Sequence, residues 1–356
     1  MRTLSNKFVG PVLGAAMGTI AFGSLAQAQD LKTINFISAN DDSCSLYPQF
    51  GMEAFGYLQK EGYKINFLDS DESVPYVAML ESGDADIAML DAAETLIARA
   101  AGKDIKVVYE THQFAPEGIV VTADSPIRDL SQLKGKTIGL AEQADEVTTQ
   151  IALDSVGLTL ADVTTSIIGN QAPVMTAALR DKTIDAFAGA ASDRAAIETL
   201  GVELRNITPD ALSRNPGNSL VVWGPTMEEK RPLIQAFTRA WAAAQAVGPL
   251  DIKAVIAVCR QAAPEQFENL DRGIEMIDDA VYIEQLRRTF FSGDLQADVW
   301  AAIQPGYMMA GVIEQEVDPA TFLDTSFQPG ILELSTEYVK EGIQAWKDAN
   351  PDLVIK

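Results

Sequence analysis

The sequence predicts an α/β fold of two lobes, each a mainly parallel sheet flanked by helices, with a helical C-terminal tail on the first lobe. Three observations carry that expectation. From Leu31 to about Ile207, short β-branched runs alternate with amphipathic stretches, the pattern of βαβ units whose sheet is covered on both faces. The chain has 356 residues, 47% hydrophobic and 22% charged, which is too long for one ordinary domain and has the composition of a core-forming protein. Beyond Pro225 the strand pattern stops and helical patterns such as MEEKRPLIQAFTRAWAAAQAVG take over.

Taken in order, the chain opens with Arg2 and Lys7 before an uncharged stretch from Phe8 to Leu25 that contains Gly10, Pro11, Gly14, Gly18 and Gly23. Ala26-Gln27-Ala28 follows, and small-x-small is what signal peptidase accepts, so residues 1–28 are expected to be a cleaved secretory leader. The competing reading is an uncleaved membrane anchor; the stretch is long enough to span, but its glycines and the cleavage site count against it. The expected strands are TINFIS, KINFLD, DIAML, IKVVYE, GIVVTAD, KTIGLA, TTSIIG, IDAFAGA and ELRNI. Between them, Asp91 with Glu94 forms a capping box for a helix stopped by Gly102. Asp145 opens a helix closed by Gly157, Pro173 sits in the first turn of the next, and Ser192 opens one ended by Gly201. Tyr57, Trp241, Trp300 and Trp346 fall on helical stripes and are expected in the core. No repeat or long linker separates the lobes, so short crossings near Phe114 to Gly118 and Asn218 to Gly224 are expected. The first lobe would then be discontinuous, residues 29–115 and 225–356, with residues 116–224 inserted as the second.

Charge and rare residues exclude several functions. With 27 Lys and Arg against 50 Asp and Glu the net charge is −23, the wrong sign for a protein that coats nucleic-acid phosphates. One histidine, His112, and two cysteines, Cys44 and Cys259, leave little material for a metal centre or a histidine-dependent triad, so no metal or cofactor is expected. In an oxidising compartment the two cysteines pair only if the turn after the first strand meets a late helix.

Three stretches carry a family resemblance: LESGDADIAMLDAAE, DLSQLKGKTIGLA and VMTAALRDKTIDAFAGAASD, in this order behind a leader. Between Leu31 and Gly224 the chain resembles the periplasmic solute-binding proteins of ABC importers, in the NMT1/THI5-like and SsuA-like group that serves nitrate, alkanesulfonates, taurine and thiamine-pyrimidine precursors. That resemblance implies a type II two-lobe binding-protein fold with a hinge, and a periplasmic receptor, not an enzyme and usually a monomer. It would capture a small-molecule solute in the cleft and deliver it to an inner-membrane ABC permease with a separate ATPase.

Ligands of open α/β sheets sit outside the carboxyl ends of the strands. Read that way, the first lobe offers Asn40, Asp41, Asp42, Ser43, Asp91 and His112, and the second offers Glu142, Asp145, Asn170, Ser192 and Asp193. Asn218 and Trp223 would lie on the return crossing, with Phe114 and Trp223 as aromatic walls and Tyr47 fitting either such a wall or the core side of the first helix. For each of Asp91, Asp145 and Asp193 taken singly, capping alone is the stronger explanation. Acidic side chains at these turns repel anions, and only Arg194 stands close enough to act as a cation, so a cationic, zwitterionic or heterocyclic nitrogen compound is expected. The alternatives are an anion receptor of the same family, for nitrate, sulfonates or taurine, and a pyrimidine-precursor synthase. The latter is disfavoured because the cysteine-rich motif of such relatives is missing.

Overall fold

The computed structural model describes residues 30–355 except 39–42, 69–75, 114–117, 142–144, 170, 199, 210–211, 213–215, 286–290 and 292. Residues 1–28, the expected leader, therefore lie outside the described residues, as do Asn40, Asp41, Asp42, Phe114, Glu142 and Asn170.

Among the described residues the strands are β1 (Lys32–Ile37), β2 (Tyr63–Phe67), β3 (Ile87–Asp91), β4 (Ile105–Glu110), β5 (Gly118–Thr122), β6 (Thr137–Leu140), β7 (Thr164–Ile167), β8 (Ala186–Gly189), β9 (Leu204–Asn206) and β10 (Asn218–Trp223). The helices are α1 (Pro48–Ala54), α2 (Tyr57–Lys60), α3 (Tyr76–Ser82), α4 (Ala92–Ala100), α5 (Asp145–Asp154), α6 (Ala172–Arg180) and α7 (Ala191–Glu198). The tail adds α8 (Arg231–Gln245), α9 (Val247–Leu250), α10 (Ile252–Ala262), α11 (Leu270–Gln285), α12 (Ala297–Met309), α13 (Gln328–Leu332) and α14 (Thr336–Ala349).

The strands form two five-stranded sheets, ordered β2-β1-β3-β10-β4 and β7-β6-β8-β5-β9. Four strands of each sheet run one way; β10 in the first and β5 in the second run against their neighbours. All nine runs expected as strands contain one. The tenth, Asn218–Trp223, is the segment expected as a crossing within residues 116–224, and it is instead hydrogen-bonded into the first sheet between β3 and β4.

Period-two alternation explains why both faces of each sheet are covered. In the first sheet Phe36, Ile87, Met89 and Leu220 point into a core with α1, α8, α10 and α14, while Ile37, Ala88, Leu90 and Val221 point into another with α3, α4 and α12. In the second, Ile138, Leu140 and Ala188 face α5, whereas Val120 and Phe187 face α6 and α7. The tail thus supplies much of the first lobe's core. Trp241 on α8 packs on Phe36 at 6.0 Å between ring centroids, Trp346 on α14 meets Phe55 at 5.8 Å, and Trp300 on α12 meets Phe322 edge-on at 5.3 Å. These tryptophans and Tyr57 are buried, as their helical stripes predict.

The chain leaving β4 lies beside the chain entering β10. Thr111 and His112 donate their backbone N–H groups to Asn218 O at 2.9 and 3.2 Å, and Gly217 N returns a bond to His112 O at 2.8 Å. Two tail helices also reach the second lobe. Arg272 on α11 donates to Ala196 O on α7 at 3.2 Å, and α12 packs on α5 beside Ile151.

Candidate functional site

Asp91 ends β3 and caps α4. Its carboxylate accepts the Glu94 N–H at 2.6 Å, and the Glu94 carboxylate accepts the Asp91 N–H at 3.1 Å, the reciprocal box read from the sequence. Desolvation raises the Asp91 carboxyl above its ordinary range, opposed by the backbone N–H groups of Glu94 and Ala93. Asp145 opens α5 in the other lobe and is 5% exposed. Both residues line one cavity of about 360 Å3 between the lobes.

The remaining wall of that cavity is largely apolar. Ile97 of α4, Ile151 of α5 and Leu212 contribute to it, with Thr148, whose hydroxyl donates to Asp145 O, and Thr208, whose hydroxyl accepts the Ile119 N–H, as polar members. No Lys, Arg or His is among the described residues that line it. Carboxylates in a mostly apolar lining favour a ligand that brings positive charge or N–H donors.

The tail adds Tyr307 and Val312 to the same wall, and neither was foreseen. Tyr307 is 6% exposed on α12, next to Pro305 and Gly306 in the run QPGYMM. A Cβ at Gly306 would lie 3.2 Å from the Ile151 side chain on α5, so the two helices pack closely there. Glycine beside an aromatic residue in a helix of the tail was the available clue.

Other expected site residues fall elsewhere. Ser43 caps the short turn Cys44–Leu46, its Oγ accepting the Ser45 N–H at 3.3 Å. Asp193 accepts the Ala190 N–H at 2.9 Å at the start of α7, and burial raises its carboxyl. Ser192 lies in the same first turn. His112 and Asn218 are joined within the crossings, with Nδ1 and Nδ2 3.4 Å apart. Arg194, expected as the cleft's cation, acts on the Asp279 carboxylate of α11.

For the aromatic candidates, the core alternative holds for Tyr47 and the expectation for Trp223 is corrected. Tyr47 is a core residue, 1% exposed, whose hydroxyl donates to Gln245 O at 2.6 Å. Trp223 pairs with Ile105 at the amino end of β4, whereas Asn218 pairs with Asp91 at the carboxyl end of β3. Because β10 runs antiparallel, its first residue lies at the ligand edge of the sheet and Trp223 at the opposite edge.

Beside the crossings lies a buried carboxylate outside the cavity lining. Glu110, the last residue of β4, is 1% exposed and accepts hydrogen bonds from Gln296 N, Gln296 Nε2 and Trp300 Nε1. Burial pushes its pKa up to about 7 against those bonds, with a smaller push from Asp294. Among the described residues no group of three or more His, Cys, Asp and Glu side chains is placed to hold a metal ion.

Two lobes, each with a five-stranded sheet flanked by helices, joined by paired crossings and enclosing a cavity, define the periplasmic-binding-protein fold. The chain belongs to the NMT1/THI5-like family, whose model matches residues 51–247. It is 23% identical over 328 residues to the riboflavin-binding protein RibY of Chloroflexus aurantiacus, covering 90% of this chain and 92% of that one. In structure it is similar to the periplasmic aliphatic sulphonate binding protein SsuA of Escherichia coli, with TM-score 0.63 and 17% identity over 82% of this chain and 91% of that one. It is also similar to the desulfurization enzyme DSZB, with TM-score 0.59 and 15% identity over 85% of this chain and 99% of that one.

Proposed function

We propose that this protein is an exported, monomeric solute receptor that closes its lobes over a nitrogen-containing compound, cationic, zwitterionic or heterocyclic. It then presents the closed form to an ABC permease served by a separate ATPase. One observation carries the ligand class: Asp91, Glu94 and Asp145 line a single cavity, and no Lys, Arg or His is among the described residues that line it. An anion entering that cavity meets like charge and no cation among the described lining residues, whereas an amine or ring N–H gains a charge-assisted bond. The name of RibY points the same way, since riboflavin is an uncharged nitrogen heterocycle.

Closure supplies the mechanism. Asp91 stands on one lobe and Asp145 on the other, so a ligand that touches both favours the closed state by its differential affinity. The reading as a receptor is supported by where the nucleophiles sit: Cys44 and Cys259 are in the first lobe's core, outside the cavity lining. The leader of residues 1–28 would place the mature chain in the periplasm.

A thermal-shift panel followed by calorimetry tests the proposal, because a ligand that binds only the folded state raises Tm. Riboflavin, aminopyrimidines or quaternary amines are expected to stabilise the protein. Stabilisation by nitrate, taurine or alkanesulfonates, with no response to the nitrogen compounds, would replace the reading with that of an anion receptor.

A further inference from the structure

Cys44 lies in the turn after β1 and Cys259 on α10, roughly two hundred residues apart in the chain. Both are 0% exposed and belong to the same core. The structure carries both as thiols in one packed cluster, where α1, just after Cys44, lies against α10, and the nearby Cys44 adds to the burial that raises the Cys259 thiol. Each backbone is already held in place. Cys44 N donates to Gln266 Oε1 at 3.0 Å, Ser43 caps the turn, and Tyr47 anchors the next residues through its bond to Gln245 O. On the other side Cys259 O accepts the Ala263 N–H at 2.8 Å as α10 ends.

We propose that Cys44 and Cys259 form a disulfide in the exported protein, stapling the turn that follows β1 to helix α10 of the tail. The expectation from sequence was conditional on these regions meeting, and they meet. The oxidant is a small-molecule or protein disulfide of the exported compartment. One cysteine, as thiolate, attacks that disulfide, forms a mixed disulfide and expels a thiolate. The second cysteine thiolate then attacks the cysteine sulfur of the mixed bond, forms the Cys44–Cys259 bond and expels the other half of the oxidant. The oxidant gains the electron pair, and the two protons from the cysteines go to its departing thiols. Burial pushes the Cys259 thiol up, which disfavours thiolate in the packed core, so the reaction belongs to folding. Once packed, the bond is shielded from reductants.

Closing so long a loop restricts the unfolded chain strongly, which is where most of the stabilisation arises. The oxidant is available only if the export reading above holds, so the test is made independent of it. Purified, reduced full-length protein is unfolded, refolded in a series of reduced and oxidised glutathione, quenched in acid, alkylated and mapped by peptide mass. The Cys44–Cys259 peptide is expected to dominate under oxidising conditions, with a Tm about 5 °C above that of the reduced protein. Cys44→Ala and Cys259→Ala are each expected to lose all dependence of Tm on reductant. Should those variants not fold, the wild type with and without reductant still gives the comparison. Two thiols that stay open to alkylation, or glutathione adducts in place of the internal bond, would overturn the proposal. Solute binding is measured separately, so a protein that forms the bond but binds no nitrogen compound fails the receptor's ligand assignment alone.

Discussion

Trp300 donates its indole N–H to the Glu110 carboxylate at 2.7 Å, and this bond ties the end of β4 to helix α12 immediately before the first crossing. The neighbouring backbone is as tightly fitted. Glu110 N donates to Gly293 O at 3.3 Å, and a Cβ at Gly293 would lie 1.9 Å from the Tyr109 ring. A buried acid thus sits where the first lobe gives way to the hinge, with a pKa pushed up to about 7.

The sign of its pH effect follows from linkage. Between its ordinary value near 4.5 and about 7, folded Glu110 holds a proton that the unfolded chain has released. Stability is therefore fully retained below the lower value and lost as pH rises through the upper one, about 3 kcal/mol in all for this contribution. Glu110→Gln keeps a carbonyl to accept from Trp300 and cannot ionise. Urea unfolding of the variant is expected to show higher stability than wild type at pH 8 and a flatter profile between pH 5 and 8. Parallel profiles for the two proteins would remove Glu110 from this role.

Gln245 gives a second expected outcome. Its side chain accepts from the Tyr109 hydroxyl and donates to Thr111 O at 2.9 Å, while its backbone O accepts from Tyr47. Its fully buried side-chain amide therefore connects β4 and the start of the first crossing to α8, while its backbone carbonyl holds α1's entry. Gln245→Leu fits the volume but cannot bond, and leaving those buried groups without this partner costs about 2–4 kcal/mol. Chemical denaturation measures it; a loss under about 0.5 kcal/mol would mean that the network re-forms without the amide.

Much of this architecture is legible in the sequence because it rests on local signals. Alternating β-branched runs mark nine strands, and Asp91 with Glu94 marks the start of α4. Strand direction is not local. The apolar run Asn218–Trp223 fits either a crossing or a strand, and only insertion between β3 and β4 sends Trp223 to the far edge. The cavity wall supplied by Tyr307 is equally hidden, since it depends on α12 packing against α5 across the lobes. Tyr47 illustrates the opposite problem: its position after β1 suits a ligand wall, but its hydroxyl finds Gln245 in the core.

Asp91 and Asp145 are separable by substitution. Asn caps a helix almost as well as Asp, so Asp91→Asn is expected to leave Tm nearly unchanged while lowering affinity for a cationic or N–H-donating ligand about 10-fold or more. Asp91→Ala loses the cap as well and is expected to cost about 1 kcal/mol of stability. Asp145→Asn tests the opposite lobe in the same assay. Calorimetry decides: unchanged affinity in both Asn variants would assign the carboxylates to helix capping alone.

Arg272 probes closure without touching the cavity. It stands on α11, which packs in the first lobe, and its guanidinium donates to Ala196 O on α7 of the second. Arg194 of α7 and Asp279 of α11 add an opposite-charge pair across the same gap, with Glu198 opposing it. These contacts depend on how the lobes meet, so they bear on the balance between open and closed states and not on either lobe's own core. A charge-assisted bond of this kind is worth about 1.5–3 kcal/mol at most when partly buried, and whatever it contributes to closure appears directly in apparent affinity. Arg272→Ala is therefore expected to weaken solute binding about 3- to 30-fold by calorimetry. Small-angle scattering should show a larger radius of gyration for the variant, while Tm without ligand changes little. A fall in Tm with unchanged affinity and unchanged dimensions would mean that Arg272 stabilises α11 itself, and that the lobes close without this contact.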